Sequence, residues 1–226
     1  MQMTGNTKGT TCCNEAWEEA YARFETPEDE IRKFTRRLLR VGAGNWKKDA
    51  AIVEIFCGRG NGLHALSRLG FTQLEGVDLS ASLLAQYKGP ALCRVADCRQ
   101  LPFASQSRDI LIVQGGLHHL HTLPGDLGQV LKEVRRILRP DGQFIVVEPW
   151  LTPFLSFVHA LCRNALARKL SRKIDALSIM TENERDTYQQ WLSQPDAIMA
   201  LFRRNFQICK STVGWGKLTL IASPNI

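Results

Sequence analysis

Residues 50–62 read Ala50-Ala-Ile-Val-Glu-Ile-Phe-Cys-Gly-Arg-Gly-Asn-Gly62, and the folding of this stretch decides the rest. The apolar run that follows Asp49 and closes on glycines has the length of a buried strand. Gly58-Arg-Gly-Asn-Gly62 predicts a tight turn, after which Leu63, Leu66 and Leu69 recur at helical spacing. Strand, glycine turn and helix open a doubly wound α/β sheet, in which ligands bind beyond the carboxyl ends of the strands. Glycines let a ligand approach the backbone closely, and a helix start offers unpaired N–H groups. A nucleotide-like cofactor is therefore expected at this turn.

The spacing narrows the cofactor. A dinucleotide fingerprint needs Gly-x-Gly-x-x-Gly, whereas Gly58, Gly60 and Gly62 alternate and Leu63 stands where the third glycine would fall. Glu54, inside the strand, would repel a pyrophosphate but attract a cation. S-adenosylmethionine (SAM) carries a sulfonium and an ammonium and no phosphate. At these residues the chain resembles the class I SAM-dependent methyltransferases, whose first motif runs acid, x, Gly, x, Gly, x, Gly. Glu54, Phe56, Gly58 and Gly60 align with it, Phe56 replacing the family's first glycine. A ring at that place requires the turn or the bound cofactor to shift, and it motivates an alternative, a catalytically silent SAM-binding protein. A nicotinamide dehydrogenase is disfavoured by the glycine spacing and by Leu192, which stands where a Tyr188-x-x-x-Lys pair needs lysine.

Downstream segments extend the resemblance. Gln73-Leu-Glu-Gly-Val-Asp78 predicts a second strand ending in an acid about twenty residues past the glycine loop, a separation suited to ribose hydroxyls. Gly76-Val-Asp78-Leu-Ser80 is similar to the family's second motif, which implies Asp78 on the ribose and Leu79 beside the adenine. Ser80 doubles as the N-cap of a helix predicted over Ala81–Tyr87. After a third strand at Ala91–Val95, Asp97-Cys98-Arg-Gln-Leu-Pro-Phe103 resembles the family's Asp-x-x-x-Leu-Pro-Phe segment. The resemblance implies Asp97 on the adenine amino group, with the neighbouring backbone at Cys98 along the ring. A fourth strand, Arg108–Gln114, runs into Gly115-Gly-Leu-His118-His119-Leu120, where the family has its substrate-facing loop. The Leu-His-His-Leu sequence is similar to the quinone-biosynthesis branch, and Gln114 or the Gly115 backbone would touch the methionine end of the cofactor. A helix over Leu127–Leu138, the turn Arg139-Pro-Asp-Gly142 and a fifth strand over Gln143–Glu148 complete the match.

Methyl transfer from a sulfonium is an in-line displacement, so the protein contributes alignment and desolvation. Glu54 would hold the ammonium. Where the acceptor must lose a proton, His118 or His119 has the ordinary pKa for a base near neutrality. Adjacent loop residues are expected to face different ways, so only one of the two would act. Glu148 is a second base candidate, unless it bonds a loop amide. The Asn/Asp-Pro-Pro-Tyr/Phe segment of exocyclic-amine methylases is absent, Gln114-Gly-Gly-Leu117 standing there, which disfavours nucleic acid and leaves RNA methylation as an alternative. The expected acceptor is a small, partly apolar molecule, with a lipid-linked substrate or a peripheral membrane surface as the related option. Pro149–Lys173 begins apolar and turns basic, as an insert capping the substrate pocket or as a helix resting on anionic lipid.

The remaining chain sets boundaries. With 226 residues a single sizeable core is expected. The charge of +7 is interleaved with apolar positions, as on solvated helix faces. Seven cysteines without paired Cys-x-x-Cys spacing suggest reduced thiols in a cytoplasmic protein and give no metal site. Residues 1–14 read as a flexible tail. Residues 15–45 read as a helical lid in which Tyr21, Arg23 and Phe24 line the site, plain packing on the sheet being the competing reading. Thr26-Pro27-Glu28-Asp29 marks a helix start running to Leu39. Residues 50–150 form the cofactor-binding core, 151–204 a helical cap broken at Gln194-Pro195, and 205–226 a terminal strand pair. The fold expected is Rossmann-like: a doubly wound, seven-stranded, mostly parallel sheet with an antiparallel final strand. No obligate protein partner is evident.

Overall fold

A computed structural model describes residues 15–225, so the tail over residues 1–14 lies outside the described part. Strand β1 (Ile52–Ile55) is buried along its whole length. It pairs in parallel with β2 (Leu74–Asp78) on one side and β4 (Arg108–Gln114) on the other. With β3 (Leu92–Val95), β5 (Leu138–Pro149), β6 (Phe206–Gly214) and β7 (Lys217–Pro224) the sheet reads β3-β2-β1-β4-β5-β7-β6. β7 runs antiparallel to both β5 and β6, so it alone opposes the other strands.

The buried strands lack the polar alternation of a half-exposed sheet because both faces are covered. Their side chains still divide with period two. Val53, Ile55, Leu111, Val113, Phe144 and Val146 enter one core, while Ile52, Ile110, Ile112 and Ile145 enter the other. The first core is closed by α5 (Gly125–Ile137), whose Leu127, Val130, Leu131, Val134 and Ile137 are fully buried at helical spacing. The second is closed by α2 (Pro27–Arg40) and α3 (Asn61–Arg68). Thr26 caps α2 by accepting from the Asp29 amide at 3.2 Å, as the sequence indicated. By the same alternation Glu54 falls on the α3 side of β1.

Two elements differ from expectation. Helix α4 spans only Ala81–Leu84, with Ser80 capping it through the Leu83 amide at 3.2 Å. The chain turns after it and lays the Tyr87 ring on Gly60, so closely that a Cβ there would sit 2.2 Å from the ring. Strand β5 starts at Leu138 rather than Gln143, and the Pro140-Asp-Gly142 turn is absorbed as a register shift against β4.

The helices beyond the sheet pack on one another. Helix α1 (Glu15–Phe24) packs on α8 (Arg172–Asn183), joining Ala20, Ala176 and Met180 beneath Trp17, Tyr21 and Phe24. Helices α6 (Pro153–Arg163), α7 (Ala165–Leu170) and α9 (Arg185–Ser193) complete the insert, and α10 (Pro195–Asn205) returns to the first core. Arg23 points at Asp175, 3.6 Å away, and Phe24 packs at the α1–α8 seam, so of the three expected residues only Tyr21 reaches the glycine turn. Among the described residues no helix is long and apolar enough to cross a membrane.

Candidate active site

The parallel register brings the ends of β1, β2 and β4 to one edge, where the turn after β1 meets Asp78 and Gln114. Phe56, Gly58 and Gly60 all adopt positive φ, at 55°, 52° and 77°. For Phe56 this backbone is strained. Its ring lies over Gly116, where an added Cβ would stand 2.4 Å from Phe56 Cβ. The ring that replaces the family's glycine is thus accommodated by a glycine on the facing loop. Asp78 receives the Gly58 amide on Oδ2 and the Ser80 amide on Oδ1, both at 2.8 Å, which ties β2 to the turn. Beside it Leu79 is 56% exposed, an apolar shelf at the site's rim.

Glu54 is buried against the start of α3, and a Cβ on Gly62 would lie 2.0 Å from its Oε1. Gln114 donates to Glu54 Oε1 at 3.2 Å. Burial pushes the Glu54 carboxyl up to about 8, with Gln114 pulling the other way. Glu54 Oε2 and Gln114 Oε1 are buried and make no hydrogen bond of good geometry among the described residues, the Leu63 amide lying near enough to Glu54 to favour its ionised form. Arg59, in the same turn, lies 4.4 Å from the Tyr21 ring centre and 3.5 Å from Glu30, and Glu30 also bonds Tyr21 and Asn61. Helix α1 is therefore tied directly to the glycine turn.

Asp97 is held differently from expectation. Its carboxylate is gripped by the Arg99 guanidinium at 2.7–3.1 Å, and Arg99 reaches on to Asp126 at 2.9 Å. That pairing keeps the Asp97 carboxyl below its usual range. Cys98 is buried and burial raises its thiol to about 12, so it presents backbone and apolar bulk, not a thiolate.

On the other side of β4, a short 3-10 turn at Leu117–His119 aims both histidines the same way. Their rings are 4.1 Å apart and both face Glu184, with His118 Nε2 at 3.8 Å and His119 Nδ1 at 3.4 Å from Glu184 Oε2. The expectation that neighbouring histidines diverge fails here because a 3-10 turn, unlike an extended loop, does not alternate its side chains. Glu148 is wholly buried and fully engaged: Oε1 accepts the Gly116 and Leu117 amides at 2.8 and 2.9 Å, and Oε2 bonds His118 Nδ1 at 2.8 Å. Burial opposes its ionisation, yet His118 and these amides hold its pKa down. Glu148 thus bonds the loop amides, the alternative to a free base, and orients His118. Burial also opposes a charged His118, but Glu148 and Glu184 outweigh it and raise the imidazole to about 9. With both ring nitrogens facing carboxylates, His118 favours its protonated form and is a poorer proton acceptor than a free imidazole.

Glu184 and Trp17 escaped the sequence reading. Trp17 Nε1 donates to Glu184 Oε2 at 3.2 Å, so α1, the α8–α9 junction and the β4 loop converge on one carboxylate. Trp17 has helical spacing as its signal; Glu184 sits among other charged residues at a helix junction and carries none.

Fold and site together define a doubly wound α/β protein whose ligand edge carries carboxylates and a crowded glycine turn in place of a phosphate cradle. The model of the family described as "Methyltransferase domain" matches residues 53–146. Demethylmenaquinone methyltransferase of Corynebacterium glutamicum is 30% identical over 192 residues, covering 83% of this chain and 77% of that protein. The enzyme of the same name from Mycobacterium marinum is 27% identical over the same shares. Among solved structures, the PH0226 protein from Pyrococcus horikoshii OT3 superposes with a TM-score of 0.69 at 19% identity, covering 94% of this chain and 100% of that one. The chain belongs to the class I SAM-dependent methyltransferases and resembles their quinone-biosynthesis members.

Proposed function

We propose that this methyltransferase binds SAM at the edge formed by β1, β2 and β4, and methylates a small, partly apolar acceptor seated under α1 and α8. The observation that carries the reading is the pair of buried acceptors without a hydrogen bond of good geometry, Glu54 Oε2 and Gln114 Oε1, on neighbouring strands beside Asp78. Buried acceptors without donors are costly, and an ammonium group supplies donors and the matching charge together. SAM supplies an electrophilic methyl on a sulfonium; the protein supplies alignment and a dry pocket.

In this reading Glu54 and Gln114 hold the amino-acid end, and Gly58 leaves the backbone open, whereas the space at Gly60 is taken by the Tyr87 ring. Asp78 accepts from the ribose on lone pairs that its two amides leave over, and Leu79 flanks the adenine. Asp97 reaches the adenine only in competition with Arg99, so the backbone at Cys98 becomes the surer contact. His118, His119 and Glu184 form the polar end of the acceptor pocket, and Trp17, Tyr21 and Tyr188 its aromatic walls. A flat ring bearing oxygen suits such a pocket. The printed names of the relatives point the same way, toward a quinone-type acceptor.

Calorimetry tests the cofactor step. SAM should bind the wild-type protein, and Asp78→Ala should weaken binding about 10–100-fold, the worth of hydrogen bonds to a charged group. Unchanged affinity in a folded variant sinks the assignment. The acceptor step is tested by incubating protein and SAM with a short-chain demethylmenaquinol and following S-adenosylhomocysteine and the methylated product by mass spectrometry. SAM binding with no product would favour a silent binder over the enzyme reading for this acceptor class.

A further inference from the structure

We propose that His118, His119 and Glu184 form a binding site for a divalent transition metal, with Glu148 as its supporting carboxylate. The three side chains offer one ligand atom each, all within 4.8 Å of one another, and they are buried or nearly so. Bonds of about 2.0–2.1 Å to imidazole nitrogen and carboxylate oxygen place ligand atoms about 3.3 Å apart at a tetrahedral centre. The observed separations from Glu184 Oε2 are 3.4 Å to His119 and 3.8 Å to His118, and the two imidazole nitrogens, within 4.8 Å of each other, draw together by side-chain rotation to complete that spacing.

The surroundings are those of a ligand set. A metal-binding histidine usually donates its second ring N–H to a carboxylate, which fixes tautomer and ring orientation. His118 turns Nε2 toward Glu184 and bonds Glu148 through Nδ1 at 2.8 Å, and Glu148 is itself pinned by two loop amides. Glu148 is 0% and Glu184 7% exposed, so two carboxylates are buried together. A dication balances both while leaving each imidazole neutral. Two histidines and one carboxylate leave coordination positions open, the donor set of catalytic zinc and of non-haem iron. Under the methyltransferase reading, on which this last step alone rests, an oxygen of the acceptor takes an open position.

The test uses cobalt chloride as a spectroscopic probe on chelator-treated, full-length protein. Visible d–d absorption should appear and saturate at one equivalent. Glu184→Gln and His119→Asn should each weaken binding at least about tenfold, whereas His64→Asn, at a histidine outside the cluster, should leave it unchanged. Because Glu184 also anchors Trp17, circular dichroism checks each variant. If Glu184→Gln does not fold, His119→Asn and X-ray absorption of the zinc-loaded wild type decide, the latter expected to show two imidazoles in the first shell. Absence of saturable bands in folded wild-type protein, bands that survive both substitutions, or a zinc shell without imidazole overturns the proposal. SAM calorimetry is a separate readout: its failure would sink the methyltransferase reading and leave the cobalt spectrum standing.

Discussion

Glu54 shows what a single residue contributes. An ionised carboxylate at 3% exposure is costly unless a cation meets it. Its pKa rises from an ordinary 4.5 to about 8 on folding. Between those values the folded chain keeps a proton that the unfolded chain releases. The group's contribution to stability is therefore full below the lower value and is lost as pH rises toward the upper, at up to about 1.4 kcal/mol per pH unit. Glu54→Gln carries no such titration. Urea unfolding of ligand-free protein across this window should show the variant gaining on the wild type as pH rises; a constant difference would mean that Glu54 is ionised and compensated. Residues of this kind were half legible. Asp78 was readable because the turn that needs it lies at a fixed distance along the chain. The roles of Glu148 and His118 were not, because a motif places a residue but does not name its partner. Two carboxylates flank His118 and favour its protonated form, and the second, Glu184, comes from a part of the chain with no pattern.

At the scale of elements, the loop after β1 and the loop after β4 are fitted to each other. Phe56 takes a left-handed backbone and spreads its ring on Gly116, and the 3-10 turn that starts there aims both histidines. Gly116→Ala would set a methyl 2.4 Å from Phe56 Cβ and Cγ, atoms too near the backbone to swing aside. Overpacking of this kind costs about 1–3 kcal/mol. Removing the whole side chain with Phe56→Gly, which also suits the positive φ, should remove the collision, so the double variant should be less destabilised than the sum of the two single variants. Strict additivity in chemical denaturation would show that the two loops are independent. The strands themselves were readable, since short buried runs closed by glycine leave few options. Element lengths were less so. Helix α4 stops early because Tyr87 is drawn onto Gly60, and β5 starts early because a turn can be folded into a strand as a register shift. Neither tertiary contact leaves a trace in local periodicity.

Across the whole molecule, the sheet and its glycine turn follow from local pattern, while the helices over its edge come from two separated parts of the chain. Helix α1 and the insert after β5 meet only in three dimensions, and this is why Trp17 and Glu184 could not be paired in advance. The same insert carries apolar side chains outward. Phe154 and Phe157, one turn apart on α6, are 44% and 61% exposed, and the Phe154 ring meets that of Trp215, itself 82% exposed, at 5.2 Å. Arg163 and the basic residues of α7, Arg168 and Lys169, follow along the chain. Arg168 is paired with Asp175 and Glu182, but exposed aromatics followed along the chain by Arg163 and Lys169 suit the interface of an anionic bilayer, where rings enter the headgroup region and cations meet lipid phosphate. A membrane-dissolved acceptor would be met at that surface. The protein should therefore sediment with vesicles of phosphatidylglycerol and phosphatidylcholine, more weakly as salt rises and hardly at all with phosphatidylcholine alone. Phe157→Ser with Trp215→Ser should reduce binding, each lost ring removing about 1.5–3 kcal/mol of burial at most. Vesicle binding that ignores both rings would assign the attraction to charge alone, and no binding to anionic vesicles would leave the acceptor to arrive through water.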